Sequence, residues 1–180
     1  MEKSPGNSTG VKKIAIIGPE CTGKTTLASE LAKYFKTIWI PEYARDYIES
    51  LNRKYLYSDV EYIANVQRSQ INSDYPLAKD FVFFDTELII SKVWFNVVYQ
   101  KEPNWLVDAI RNSNFDIYLL CNTDIPWFSD KVRENGGENR EKLFDVYLKE
   151  INAFEFPYEI ISGINETRIN TAKNIINRMY

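Results

Sequence analysis

The sequence contains no histidine among its 180 residues. Catalysis by Ser-His-Asp or Cys-His groups, zinc sites with histidine ligands and imidazole-based pH switches are therefore excluded. The two cysteines, Cys21 and Cys121, are too few for a disulfide framework or an all-cysteine zinc site. No apolar run reaches the roughly 18 residues that cross a membrane, and residues 1–11 lack the apolar core of a secretion signal. We therefore expect a cytoplasmic protein without a membrane partner.

The charge balance is slightly acidic, with 22 Lys and Arg against 25 Asp and Glu and a net charge of −3. Together with a pI of about 5.2, this argues against a general nucleic-acid binder. A hydrophobic content of 44% is typical of a folded globular chain. The length fits one domain, which we place at residues 11–180 after a disordered polar tail at residues 1–10.

Short apolar segments alternate with segments of helical periodicity. The predicted strands are residues 12–17, 37–40, 81–84, 115–120 and 158–161. The predicted helices are residues 25–35, 42–51, 58–77, 86–99, 105–111, 141–154 and 166–179, and Ser58 with Glu61 forms a capping-box pattern at the start of the third. Strands that are apolar throughout and alternate with helices predict a three-layer α/β sandwich with a five-stranded parallel sheet. Ligands of such sheets bind at the carboxyl ends of the strands.

A phosphate-binding loop follows the first strand. Residues 18–25, GPECTGKT, match G-x-x-x-x-G-K-[ST] and precede a predicted helix. Glycine lets the backbone turn its N–H groups toward a nucleotide phosphate, and the positive end of the helix adds to their attraction. The predicted ATP contacts of this loop are Gly18, Glu20, Cys21, Thr22, Gly23, Lys24, Thr25 and Thr26.

A candidate Mg²⁺ site combines Thr25 with Asp85. The hydroxyl that follows the loop lysine is a Mg²⁺ ligand in P-loop proteins, and Asp85 ends an apolar strand where such proteins carry a metal-associated carboxylate. The alternative is that Asp85 caps the helix that follows it.

The chain lacks the guanine-reading Asn-Lys-x-Asp of small GTPases, because residues 121–124 read CNTD after the fourth strand. A small-molecule kinase with a nucleoside-monophosphate-kinase-like fold fits the length. Residues 125–140 contain Arg133, Arg140 and two glycines, and predict an arginine-bearing lid that stabilises the transferred phosphoryl group and excludes water. The alternative is a solvated charged loop.

A carboxylate and an arginine follow the second strand, in the segment PEYAR at residues 41–45. Glu42 is positioned to accept the proton of an attacking hydroxyl or to bind sugar hydroxyls, and Arg45 to pair with phosphate. An acidic residue also favours the start of a helix, which would explain Glu42 without chemistry. Glu42 and Asp85 both stay candidates for the catalytic base.

Five stretches together resemble the ribosylnicotinamide kinase domain of the NadR family: GPECTGKTTL, PEYAR, IANVQ, FDTEL with KVW, and DIPW before the arginine-containing lid. The resemblance runs from Lys12 to Met179. It implies phosphorylation of nicotinamide riboside at its 5′-hydroxyl by ATP with Mg²⁺, giving nicotinamide mononucleotide.

The resemblance also implies roles for individual residues. It makes Lys24, Glu42, Asp85 and Arg133 catalytic. Arg133, Arg140 and Arg168 join the loop residues as ATP contacts. The implied or candidate contacts of the riboside are Glu42, Tyr43, Arg45, Gln67, Asp85, Trp94 and Trp127.

Several alternatives stay open at the level of sequence. The aromatic side chain that stacks on the riboside base is Tyr43, Trp94, Tyr99 or Trp127, although Trp94 also fits a core position. One alternative is another small P-loop kinase that phosphorylates a different nucleoside or metabolite. Its ATP-binding residues would look the same in the sequence. A different kind of alternative is a regulatory module that binds ATP and does not catalyse a reaction. The sequence fits a monomer or a homodimer.

Overall fold

The computed structural model describes residues 10–128 and 136–180. Residues 1–9 of the predicted tail, Arg133 and the rest of residues 129–135 in the predicted lid lie outside these ranges. Across the described part, no helix is long and apolar enough to cross a membrane. The strands are β1 (Lys12–Ile17), β2 (Ile38–Ile40), β3 (Phe81–Asp85), β4 (Ile117–Cys121) and β5 (Tyr158–Ile161).

Seven α-helices occupy the described ranges, and the fourth continues into a π-helical segment at Phe95–Tyr99. They are α1 (Lys24–Phe35), α2 (Tyr43–Ser50), α3 (Tyr57–Ile71), α4 (Leu88–Trp94), α5 (Leu106–Arg111), α6 (Glu138–Ala153) and α7 (Asn165–Met179).

The five strands form one sheet in the order β2-β3-β1-β4-β5, and every pairing is parallel. Strand β1 is central and pairs with both β3 and β4. The loop that follows β1 therefore lies beside the carboxyl ends of β3 and β4. Asp85, the last residue of β3, is in register with Ile16, so the sheet itself brings this carboxylate next to the phosphate-binding loop.

Alternate side chains of the central strands enter two separate cores. Ile14 and Ile16 pack with α1 and α7 on one face, whereas Ala15 and Ile17 pack with α3, α4, α5 and α6 on the other. Burial on both faces explains why successive residues of these strands, such as Ile14 to Ile17, are apolar without alternation. The predicted three-layer α/β sandwich with a parallel sheet is confirmed.

The start of α3 differs from the predicted capping box. Asp59, not Glu61, supplies the capping carboxylate: its Oδ2 accepts the Leu56 backbone N–H at 2.6 Å, and the helix begins at Tyr57, before Ser58. Both Arg53 terminal nitrogens also donate to Asp59, at 2.6 and 2.9 Å. These hydrogen bonds hold the pKa of Asp59 well below its usual range. The helix ends at Ile71, before the polar segment that leads to Pro76, and not near residue 77.

The segment predicted as one helix over residues 86–99 is divided. Thr86 has a φ of 75°, so the helix cannot start there, and Glu87 caps it from the following position. The alternative that Asp85 is the cap is therefore wrong. At its other end α4 widens into the π-helical segment, a feature that is frequent at functional sites.

Asp59→Ala is expected to lower the melting temperature clearly more than Ser58→Ala, because the Asp59 carboxylate accepts hydrogen bonds from the Leu56 N–H at the start of α3 and from both terminal nitrogens of Arg53. The pKa of Asp59 is depressed in the folded protein, so its stabilisation is complete above about pH 4 and is lost as the pH falls below that. Thermal melting of both variants at pH 7 and in acid measures the difference. Equal losses for the two variants would contradict the assignment.

Candidate nucleotide and acceptor site

Two glycines allow the phosphate-binding loop to fold against β4 and the segment after it. A Cβ at Gly18, where φ is 136°, would lie 2.7 Å from the Cys121 carbonyl oxygen. A Cβ at Gly23, where φ is 75°, would lie 2.9 Å from Cδ1 of Ile125. Both φ values are unfavourable for residues with side chains, so neither position accepts another residue without a shift.

The polar side chains of the loop hold it in a curve above the start of α1. Thr22 Oγ1 and Lys24 Nζ both donate to the Pro19 carbonyl, at 2.8 and 2.9 Å. Helix α1 begins at Lys24 directly after Gly23. Its free backbone N–H groups and positive end favour an anion at this point.

Asp85 lies directly behind the loop. Thr25 Oγ1 donates to Asp85 Oδ2 at 2.6 Å, and Asp85 Oδ1 is buried without a hydrogen-bond partner among the described residues. Burial raises the pKa of Asp85 to about 6; Lys24 opposes this rise and Glu42 adds to it.

This donor set fits Mg²⁺. The unpartnered carboxylate oxygen and the adjacent hydroxyl are hard oxygen ligands, which Mg²⁺ prefers. No group of three or more His, Cys, Asp or Glu side chains suited to a metal occurs in residues 10–128 and 136–180. A Mg²⁺ ion here would therefore depend on phosphate oxygens and water for its other ligands, as is usual for this ion.

The turn after β3 is strained. Thr86, a β-branched residue, adopts the left-handed region, which costs on the order of 1–3 kcal/mol. Its N–H donates to the Ile16 carbonyl at 3.0 Å, and its Oγ1 accepts the Gln67 side-chain amide at 3.2 Å. Ser91 donates to the other end of the same amide at 2.6 Å. The structure thus places Gln67 beneath the turn and not on the cavity described below.

Glu87 is a fully buried carboxylate two residues after Asp85. It caps α4, with Oε1 accepting the Ile89 N–H at 2.8 Å, while Oε2 is buried with no hydrogen-bond partner in the described ranges. Burial raises its pKa to about 8. No sequence signal marks Glu87 as the cap, because the residues favoured at that position are Ser, Thr, Asp and Asn.

One cavity of about 340 Å³ extends from the phosphate-binding loop to an apolar end. Glu42 and Arg45 also line it, and both lie close enough to Asp85 to affect the pKa of that carboxyl. Near the apolar end the rings of Tyr55 and Trp94 meet edge to face, with centroids 5.0 Å apart. The loop end is lined by Gly18, Glu20, Cys21, Thr22, Gly23, Lys24, Thr25 and Thr26. The other lining residues are Glu42, Ala44, Arg45, Ile48, Tyr55, Ile90, Val93, Trp94, Val97, Val98, Leu143 and Tyr147.

Four predicted substrate contacts are not among the residues that line the cavity: Gln67, Asp85, Tyr43 and Trp127. Tyr43 packs against the rings of Tyr47 and Tyr62 between α2 and α3. The Trp127 indole N–H donates to Glu20 Oε1 at 3.2 Å, which places its ring beside the phosphate-binding loop. A Cβ at Gly136 would lie 3.2 Å from three atoms of that ring, so glycine lets the chain pass close to it.

Arg140 and Arg168 are both buried and hold loops through backbone carbonyls. Arg140 donates to the carbonyls of Cys21, Thr123 and Ile125, and so joins the start of α6 to the phosphate-binding loop. Arg168 donates to the carbonyls of Asn122, Ile161 and Gly163 and forms an ion pair with Asp124. These contacts, which the sequence did not predict, fix the segments after β4 and β5 beside the nucleotide loop.

Sequence analysis missed most of the apolar end of the cavity. Residues 90, 93, 94, 97 and 98 follow the i, i+3, i+4, i+7, i+8 spacing of one helix face. This stripe was interpreted only for Trp94, which the structure places on the cavity. Tyr55 comes from the loop before α3 and Tyr147 from α6, and no local pattern marks either of them.

The fold and this loop define a P-loop domain of the kinase type. The family model described as an AAA domain matches residues 13–168, and the chain belongs to that family. It is 30% identical over 153 residues to the trifunctional NAD biosynthesis/regulator protein NadR of Salmonella typhimurium and 31% identical to NadR of Escherichia coli K12. The matches cover 81% of this chain but only 37% of either relative.

Solved structures agree with this assignment of fold. A NadR protein in complex with NR superposes with a TM-score of 0.78 at 21% identity, covering 93% of this chain and 51% of that one. Deoxyadenosine kinase from M. mycoides gives 0.67 at 20% identity, covering 93% and 100%. The resemblance to the NadR family and the P-loop kinase fold are confirmed.

Glu87→Gln is expected to flatten the pH dependence of stability. The folded pKa of about 8 lies above the ordinary value for glutamate, so wild-type stability falls as the pH rises from about 4.3 to 8. Glutamine keeps an oxygen for the cap and removes the titration. Urea denaturation at pH 5 and pH 9 measures this, with Glu166→Gln, an exposed glutamate in the first turn of α7, as control. If the free energy of unfolding of Glu87→Gln differed between pH 5 and pH 9 by as much as that of the wild type, the assignment would be contradicted.

Proposed function

We propose that this chain transfers the γ-phosphoryl group of ATP to the 5′-hydroxyl of nicotinamide riboside, giving nicotinamide mononucleotide. The observation that carries the proposal is the single cavity that joins the phosphate-binding loop to Glu42, Arg45 and an aromatic end. The kinase fold and the similarity to a NadR protein in complex with NR support this choice of acceptor.

The loop end would hold the ATP phosphates. Backbone N–H groups between Gly18 and Thr25 surround the β-phosphate, and Lys24 exchanges its contact with the Pro19 carbonyl for phosphate oxygens. Thr25 and Asp85 would hold Mg²⁺, directly or through water. When bound, the ion neutralises charge that develops on the transferred group. Trp127 and Arg140 keep the adjoining loop in place.

Glu42 is the better candidate for the base. It lines the cavity, and although it occupies the N-cap position of α2 its side chain forms no capping hydrogen bond. The helix therefore does not account for this carboxylate. Asp85 is buried, and one of its oxygens already accepts the Thr25 hydroxyl. We assign Glu42 to the substrate hydroxyl and Asp85 to the metal, with Arg45 placed to contact the migrating phosphoryl group.

The aromatic end would hold the nicotinamide ring. Tyr55 and Trp94 supply flat surfaces, and Ile90, Val93 and Val97 complete an apolar wall. The pyridinium ring carries a positive charge, which gains from an aromatic face and from the nearby Glu42 carboxylate.

Purified protein with MgATP is expected to release ADP only when nicotinamide riboside is added, and not with thymidine, cytidine, uridine or no acceptor. Lys24→Ala should abolish the release, because the lysine holds the β- and γ-phosphates. Lys33→Ala removes an exposed lysine from the same helix and serves as the control. Release with another nucleoside would reassign the acceptor. ATP binding without acceptor-dependent release would instead favour a regulatory module.

Trp94→Leu is expected to raise the KM for nicotinamide riboside by about tenfold through loss of the aromatic contact, with the KM for ATP unchanged. Trp127→Leu should raise the KM for ATP and leave the KM for nicotinamide riboside unchanged, because the Trp127 indole contacts the phosphate-binding loop. Steady-state kinetics with each substrate varied in turn separates the two. A riboside KM that rises with Trp127→Leu but not with Trp94→Leu would show that the acceptor end is misplaced.

A further inference from the structure

We propose that Gln67 is a positioning residue that fixes Asp85 through Thr86 without touching the acceptor. The inference rests on the proposed role of Asp85 at the phosphate end of the site. It differs from the role in riboside contact that family resemblance implies for Gln67. Its basis is a buried hydrogen-bond chain that runs from α3 to the turn after β3.

The side chain of Gln67 has no freedom to reach the cavity without breaking this chain. Only 4% of the residue is exposed, and both ends of its amide are used. The nitrogen donates to Thr86 Oγ1 at 3.2 Å and the oxygen accepts from Ser91 Oγ at 2.6 Å. None of these three residues lines the cavity. An amide that joins two buried hydroxyls matches the donor and acceptor needs of both.

The turn that Gln67 holds is the one that aims Asp85. Thr86 has a φ of 75°, and its N–H donates to the Ile16 carbonyl at 3.0 Å. The backbone is thus tied to β1, and the side chain is tied to α3 through Gln67. Asp85 precedes this turn directly, with Oδ2 at 2.6 Å from Thr25 Oγ1. Relaxation of Thr86 toward ordinary φ values would rotate the shared peptide and move the carboxylate away from Thr25.

The consequence would appear at the metal and not at the riboside. A displaced carboxylate weakens the hold on Mg²⁺ and slows phosphoryl transfer, whereas the aromatic end of the cavity is unchanged. Loss of the Gln67 contact should therefore lower kcat and the Mg²⁺ dependence of ATP binding while leaving the riboside KM as it is.

The test uses Gln67→Met, which keeps the length of the side chain and removes both polar ends. Isothermal titration calorimetry measures ATP affinity with and without Mg²⁺, in the absence of any acceptor. The factor by which Mg²⁺ increases ATP affinity is expected to fall by about tenfold, which is the size of effect that loss of one buried hydrogen bond produces. Gln70→Met, the same change one turn along α3, should keep the wild-type gain.

Thr86 supplies a second pair of variants if Gln67→Met does not fold. Thr86→Val removes the hydroxyl and should reduce the gain in ATP affinity that Mg²⁺ gives. Thr86→Ser keeps the hydroxyl and should keep that gain. A raised riboside KM in Gln67→Met, with the gain in ATP affinity from Mg²⁺ unchanged, would overturn the inference. A wild-type gain from Mg²⁺ in Thr86→Val would overturn it as well. If wild-type protein does not phosphorylate the riboside but the variants lose the Mg²⁺ effect, the inference stands and the proposed acceptor fails.

Discussion

The hydrogen bond between Thr25 and Asp85 is the contact on which the site depends. It joins the first turn of α1 to the end of β3, and it exists because β3 lies directly beside β1 in the sheet. The parallel register places Asp85 opposite Ile16, just before the loop begins. The loop backbone, the Thr25 hydroxyl and the Asp85 carboxylate are therefore brought together by strand order.

Buried polar side chains keep the surrounding loops in the conformations that this arrangement needs. Gln67 supports the strained Thr86, Arg140 ties α6 to the phosphate-binding loop, and Arg168 joins the segments after β4 and β5. Their hydrogen-bonding groups contact backbone carbonyls, buried hydroxyls and, for Arg168, the Asp124 carboxylate as well. Removal of any one of these side chains therefore leaves polar groups in the interior unpaired. Side chains outside the cavity thus contribute to its shape as much as those that line it.

Sequence patterns predicted the sheet, the phosphate-binding loop and the placement of Glu42 and Asp85, because each depends on local periodicity or on the ends of parallel strands. They did not predict that Asp59 caps α3, since Ser58 with Glu61 fits the same local pattern. Nor did they predict the partners of Arg140, which contacts residues as distant in sequence as Cys21. Tyr55 and Tyr147 reach the cavity only through tertiary packing, which no spacing within a single segment reveals.

The proposed function requires one cavity to bring the γ-phosphate of ATP to a riboside hydroxyl beside Glu42. Phosphorus NMR of protein incubated with MgATP and nicotinamide riboside tests it most directly, because it reports both the acceptor atom and the alternative of hydrolysis. We expect a new phosphomonoester signal coupled to the two 5′ protons of the ribose. Inorganic phosphate alone, or an ester at another hydroxyl, would contradict it.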